Sequence, residues 1–182
     1  MSLEPPLRIG MIARWRPPHL GHAAVLRALC CLAGEALIGV GSANRYNVRN
    51  PFTLDETLDM LRLILEDHDN FHLIPVPDLD DGPRWREMVM RLFGRLDLFV
   101  TANPYVAHLL GDNYRIIHPV ELLSLNERIA IDGMGVRMAM ARGDGWQALV
   151  PQRIADYISS RGLDIRFRQQ FGLETLTLGT IL

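Results

Sequence analysis

A chain of 182 residues, 48% of them hydrophobic, can build one well-packed domain and is too short for two of full size. A formal net charge of −2 gives no electrostatic case for nucleic acid or an anionic membrane surface. No apolar run approaches the ~20 residues of a membrane span and no leader-like segment opens the chain, so a cytoplasmic protein is expected.

All 19 basic residues are arginine. Lysine chemistry is therefore excluded, and any phosphate held by side-chain charge must be held by arginine or protonated histidine. Cys30 and Cys31 are adjacent inside a helical pattern and read as small core residues rather than a redox or metal pair.

In chain order, the apolar run Leu7 to Ala13 predicts a first strand. It feeds Arg14-Trp15-Arg16-Pro17-Pro18-His19-Leu20-Gly21-His22, after which Leu20 to Ala33 has the apolar spacing of a helix. Strand, loop and helix start place His19 and His22 on a first turn, where unpaired N–H groups and the helix dipole favour an anion. Gly21 leaves room for a phosphate to approach the backbone, and Arg14 and Arg16 add planar donor forks. The stretch reads as a phosphate site. Its plain alternative is a pair of surface histidines, and the remaining chain has to decide.

A buried strand is expected over Ala36 to Ser42, then a loop from Asn44 to Pro51 carrying Arg45 and Arg49. Thr53 and Glu56 form a capping box for a helix from Leu54 to about Asp67. Phe71 to Val76 reads as the third strand, Pro77 to Pro83 as a loop, and Trp85 to about Phe93 as a helix. Asp97 to Thr101 is the fourth strand, Ala102-Asn103-Pro104 opens a short helix through Leu110, and Tyr114 to Pro119 is the fifth strand. Leu122 to Ile131 has no clear period. Asp132-Gly133 can cap a helix from Met134 to about Arg142, and Pro151 starts another to about Arg161. This division gives a domain over residues 1–162 and a tail over 163–182, with alternating Leu176-Thr177-Leu178, that reads as a strand, a partner contact or a disordered end.

Five strands alternating with helices argue for a doubly wound parallel α/β sheet, with helices on both faces, a small helical C-terminal part, and its ligand site beyond the carboxyl ends of the strands. Arg14 to His22, Ser42 to Phe52, Asp78 to Trp85 and Thr101 to Asn103 fall at those ends. Trp85 suits ligand stacking or core packing, and Arg137 suits phosphate binding or a solvated helix face. His68, His72, His108 and His118 read as structural, and Met134, Met138 and Met140 as helix packing.

These motifs resemble the H-x-G-H nucleotidyltransferases, and among them the archaeal-type nicotinamide mononucleotide adenylyltransferases, over about Leu7 to Arg161. Arg14 to His22 is similar to the family's G-R-F-Q-P-x-H-x-G-H, and Gly41-Ser42-Ala43 with Asn50-Pro51-Phe52-Thr53 to its G-S-A-Q and N-P-F-T stretches. Pro77-Asp78-Leu79-Asp80 with Trp85 resembles its mononucleotide loop, and Ile131 to Arg137 its I-S-x-T-x-x-R.

The resemblance implies a Rossmann-like fold and transfer of AMP from ATP to nicotinamide mononucleotide, with Mg2+ and without a protein-built metal site. It implies that His19, His22, Arg14 and Arg137 are catalytic. Arg16, Gly21, Arg49, Asp132 and Gly133 would bind the ATP phosphates, and Asp80, Trp85, Asn103 and Phe52 the mononucleotide. Among the departures from the family pattern, Asp132 and Met134 replace hydroxyl residues, Ala13 a glycine and Arg16 a glutamine. These departures keep open a different phosphorylated acceptor, or a nucleotide-binding module without catalysis. The apolar tail and the resemblance together predict a homo-oligomer.

Overall fold

In the computed structural model, which describes residues 7–180, five parallel strands lie in the order β3-β2-β1-β4-β5. They are β1 (Arg8–Ala13), β2 (Glu35–Gly41), β3 (Phe71–Val76), β4 (Leu98–Val100) and β5 (Ile116–Ile117). The helices are α1 (Leu20–Leu32), α2 (Leu54–Ile64), α3 (Gly82–Phe93), α4 (Pro104–Leu110), α5 (Gly133–Arg142), α6 (Gln152–Ser160) and α7 (Leu163–Thr180). The chain runs outward from β1 through β2 to β3, then crosses back to lay β4 on the other side of β1. That reversal opens a crevice beyond the carboxyl ends of β1 and β4, where open α/β sheets bind ligands.

Alternation along the strands divides the core between the two faces. Ile9, Met11, Ala36, Ile38, Val40 and Val100 belong to the larger cluster, which includes buried residues of α1, α2, α5, α6 and α7. Leu37, Val76 and Phe99 turn the other way, onto Val89 and Phe93 of α3 and Leu110 of α4. On that second face Gly10 and Gly39 make room for the end of α3: a Cβ on Gly10 would lie 3.0 Å from Phe93 Cδ1, and one on Gly39 3.0 Å from Phe93 Cζ. Among the described residues, no helix is long and apolar enough to cross a membrane.

The expected elements are present with small shifts at their ends. Helix α3 starts at Gly82 rather than Trp85, because the Asp81 carboxylate accepts the Arg84 N–H at 2.9 Å and Pro83 occupies the first turn. The tract Leu122 to Ile131 is built of single 3-10 turns, Pro119–Leu122 and Leu125–Glu127, followed by irregular chain, which explains its lack of period.

The reading of the C-terminal tail as strand or disorder is corrected over its described part. Residues 163–180 form α7, with Leu163 and Phe167 buried in the larger cluster, so the helix belongs to the same core as the sheet. Residues 181–182 of that tail lie outside the described residues.

Candidate active site

The loop after β1 is shaped by one indole. Trp15 is fully buried and donates from Nε1 to the Gly39 carbonyl at 2.8 Å, which holds its backbone at φ +55°. Such a conformation costs a non-glycine residue about 1–3 kcal/mol and persists only where packing over-determines it. Ser42, after β2, and Asp80, after β3, have φ of +52° and +54°. Among the described residues, all three left-handed non-glycines thus lie at the carboxyl ends of neighbouring strands.

His19 is the N-cap of α1. Its Nδ1 accepts the His22 N–H at 3.2 Å, and His22 Nδ1 accepts the His19 N–H at 3.5 Å, forming a capping box of two imidazoles. The rings stack with centroids 3.6 Å apart, and Trp15 meets His22 edge-on at 4.8 Å. Because both Nδ1 atoms accept, each neutral ring carries its proton on Nε2 and offers a donor there.

Burial lowers the His19 pKa from the ordinary 6.5 to about 4, with Asp132 opposing the shift and Arg137 adding to it. Burial, and then His19, push His22 well below its usual value. The pair is uncharged at neutral pH. Gly21 lines the cleft, and a Cβ there would lie 3.2 Å from the His19 ring and 3.3 Å from the Ile129 carbonyl, so glycine also makes room for protein atoms.

Five arginines line one cleft of 1170 Å³ with this pair, Arg128 on its far wall and Arg14, Arg16, Arg49 and Arg137 elsewhere on it. Arg14 and Arg49 are exposed at its wall. Arg137, from α5, donates to the Arg16 carbonyl at 3.2 Å; burial first, then Arg14, lower its pKa to about 10, while Asp132 opposes the shift. Arg16 is only 2% exposed. Its Nη1 donates to the Ser42 and Arg45 carbonyls at 3.1 and 3.0 Å, while Nε and Nη2 are buried without a partner. Burial lowers its pKa, and Asp78 partly restores it. A buried cation with two unmade hydrogen bonds is costly unless an anion arrives to complete it.

Asp132 caps α5, accepting the Gly135 N–H at 2.7 Å, with Gly133 beside it on the cleft wall. The expected mononucleotide side is more mixed. Trp85, half-buried on the first turn of α3, lines the cleft. Asn103 lines it as the N-cap of α4, its Oδ1 accepting the Tyr105 N–H at 2.9 Å. Asp80 also lines it, but its carboxylate is engaged by Arg45, which lies 3.7 Å from Asp78 as well. Phe52 is corrected: it is fully buried in the larger core cluster and anchors its loop instead of facing a ligand.

Sequence reasoning missed the far wall of the cleft, Pro119 to Leu123 and Arg128 to Ile131. No pattern marks chain that is neither helix nor strand.

The sequence signature described as cytidylyltransferase-like matches residues 14–131. The nicotinamide-nucleotide adenylyltransferase of Thermococcus kodakarensis is 32% identical over 81% of this chain and 79% of its own length. That of Methanoculleus marisnigri is 34% identical over 81% of this chain and 87% of its own. The chain belongs to the nicotinamide-nucleotide adenylyltransferases. In structure it is similar to a bifunctional NMN adenylyltransferase/ADP ribose pyrophosphatase from Francisella tularensis, solved with AMP and a manganese ion. The TM-score is 0.70 at 16% identity, over 94% of this chain and 53% of that longer one. At that identity the likeness shows the fold.

Arg14, Arg49 and Arg137 all line this cleft, and so does Arg16, the position at which the resembled sequence pattern carries glutamine. The two hydroxyls replaced by Asp132 and Met134 leave α5 with a charged cap and a thioether on the cleft wall.

Proposed function

We propose that this protein transfers AMP from ATP to nicotinamide mononucleotide, forming NAD and pyrophosphate. The observation that carries the reading is the convergence of two neutral, N–H-donating imidazoles with Arg14, Arg16, Arg49 and Arg137 on one cleft at the switch point, with Trp85 on the same cleft. The mononucleotide phosphate attacks the α-phosphorus of ATP, a new P–O bond forms, and the bond to the oxygen bridging to the β-phosphate breaks with its electron pair. The acceptor is already an anion, so no base or covalent nucleophile is required. Positioning and charge stabilisation suffice.

In this reading Nε2–H of His19 and His22 donates to the α-phosphate oxygens as charge builds on them. Arg14, Arg49 and Arg137 hold phosphates, and the unpaired Nε and Nη2 of Arg16 supply two further donors. Gly133 keeps the start of α5 slim, since a Cβ there would lie 3.1 Å from Arg137 Nη1. Trp85 stacks on the pyridine ring, with Asn103 beside it. Asp80 reaches the nucleotide only by leaving Arg45.

Among the described residues no group of three or more His, Cys, Asp or Glu converges to hold a metal. The residues fit a Mg2+ ion that is carried in on the triphosphate and neutralises its charge.

A second reading, an acceptor with one more anionic group, is favoured by the incomplete hydrogen bonding of Arg16. The test is a chromatographic assay with Mg2+, ATP and either nicotinamide or nicotinic acid mononucleotide. NAD with pyrophosphate supports the first reading, and a strong preference for the acid the second. ATP binding without turnover of either would favour a non-catalytic module. We also carry forward a cytoplasmic setting and self-association, the latter on Leu173, which is 83% exposed on α7. A monomeric mass by light scattering would remove it.

A further inference from the structure

Arg49 stands at the tip of a tight turn. Asn50 N–H donates to the Asn47 carbonyl at 2.8 Å, and the Asn47 side-chain oxygen accepts the Arg49 N–H at 3.1 Å. Toward the cleft, the start of this loop is fastened to the loop after β3: Asn44 and Asp78 exchange hydrogen bonds at 2.9 and 2.8 Å, and Arg45 pairs with Asp80. On the outer side both flanks of the turn are gripped by α7.

Arg166 does most of the gripping. Its Nη1 and Nη2 donate to Glu56 Oε1 and Oε2 at 2.6 and 2.7 Å, while Nη2 also reaches the Pro51 carbonyl at 3.4 Å. The guanidinium lies 5.8 Å from the centre of the Tyr46 ring. Tyr46 and Gln170 Oε1 are joined by a 2.5 Å hydrogen bond, and the ring meets Phe171 edge-on at 5.4 Å. The same Glu56 carboxylate accepts the Thr53 N–H at 2.9 Å, closing the cap of α2. One planar fork therefore touches the chain before the turn, after it, and at the start of the next helix, a geometry a single ammonium could not reproduce.

We propose that α7 is a clasp that sets the position of Arg49, with Arg166 as a positioning residue that acts on a substrate phosphate through Arg49 without touching it. The proposal rests on the reading of Arg49 as a phosphate ligand. A fixed turn delivers its guanidinium already placed, whereas a loose one loses affinity to the ordering of loop and side chain.

The test is a cycle of Arg166→Met, Arg49→Ala and the double variant, with KM for ATP and for the mononucleotide and kcat measured for each. Arg166→Met is expected to raise one KM about 5- to 20-fold with kcat held within about twofold, and to add nothing in the Arg49→Ala background. Arg166→Lys should fall between, because it keeps the charge and loses the fork. Arg153→Met, which breaks the ion pair of α6 with Glu66, is the matched control and leaves both KM values in place. If Arg166→Met does not fold, Glu56→Gln weakens the same clasp from the other side.

An unchanged KM in Arg166→Met beside a raised one in Arg49→Ala overturns the clasp, as do effects that add in the double variant. If Arg49→Ala itself leaves both KM values unchanged, the phosphate role of Arg49 falls, and the clasp with it.

Discussion

Among the helices that open onto the cleft, α1 and α5 are capped in opposite ways. At α1 the cap is a neutral imidazole that shares a reciprocal box with a second imidazole; at α5 it is the Asp132 carboxylate. An uncharged cap satisfies the orphan N–H groups without cancelling the positive end of the helix, so α1 keeps its attraction for an anion. A carboxylate cap spends that attraction internally. At α5 the positive charge comes instead from a side chain one turn along, Arg137, whose hydrogen bond to the Arg16 carbonyl ties it to the α1 side. Under the proposed function, anion binding falls to the helix end itself at α1 and to a guanidinium at α5.

The largest expected effect breaks the first half of that contrast. His19→Ala removes both a donor to the reacting phosphate and the cap, and should lower kcat by about 10²- to 10³-fold. The lost cap should cost about 1 kcal/mol, read by urea denaturation. A rate within a fewfold of the parent would reject the assignment.

Next comes the cost of keeping that cap neutral. His19 has a folded pKa of about 4 against the ordinary 6.5, so between those values the unfolded chain binds a proton that the folded one refuses. Stability is therefore full above pH 6.5, falls as pH drops through this window, and has lost about 3 kcal/mol from this group below pH 4. Denaturation midpoints across that range should show the loss, and His19→Gln should reduce it to the part that His22, whose pKa is also depressed by burial, contributes. A parent protein with no decline there contradicts a neutral cap.

Breaking the other half is expected to cost less. Arg137→Met removes a charged donor, worth about 1.5–3 kcal/mol in a phosphate contact, and should reduce kcat/KM for ATP by about 10- to 100-fold.

The parts of the molecule legible in the sequence are those whose cause is local. The Thr53–Glu56 capping box, the Asp132 cap and the strand-loop-helix unit at His19 each depend on residues within a few positions, and each is present. The parallel sheet follows from alternating elements with short connections, but its order β3-β2-β1-β4-β5, with the crossover from β3 to β4, is set by tertiary packing and is not written in that alternation. Arg166 and Glu56 are 110 positions apart, and nothing in either neighbourhood announces the other. Phe52 failed for a related reason. The resemblance of Asn50-Pro51-Phe52-Thr53 to a family stretch placed it with the mononucleotide, and only the tertiary packing that covers it shows otherwise. The tail misled through period: Leu176-Thr177-Leu178 alternates like a strand, while Leu163 and Phe167, four apart on the face buried in the core, make it a helix.

The smallest effect sharpens the comparison most. Asp132→Asn keeps a side-chain oxygen for the Gly135 N–H and deletes the charge, so stability should stay within about 0.5 kcal/mol. With the carboxylate gone, the α5 end should come to resemble the α1 end, and KM for ATP should fall about two- to fivefold as repulsion of the triphosphate disappears. The same fall should shrink in high salt, since it is electrostatic at an exposed site. A rise in KM would mean that the carboxylate assists the triphosphate, through the metal it brings with it, and that the two helix ends differ because they hold different parts of one ligand.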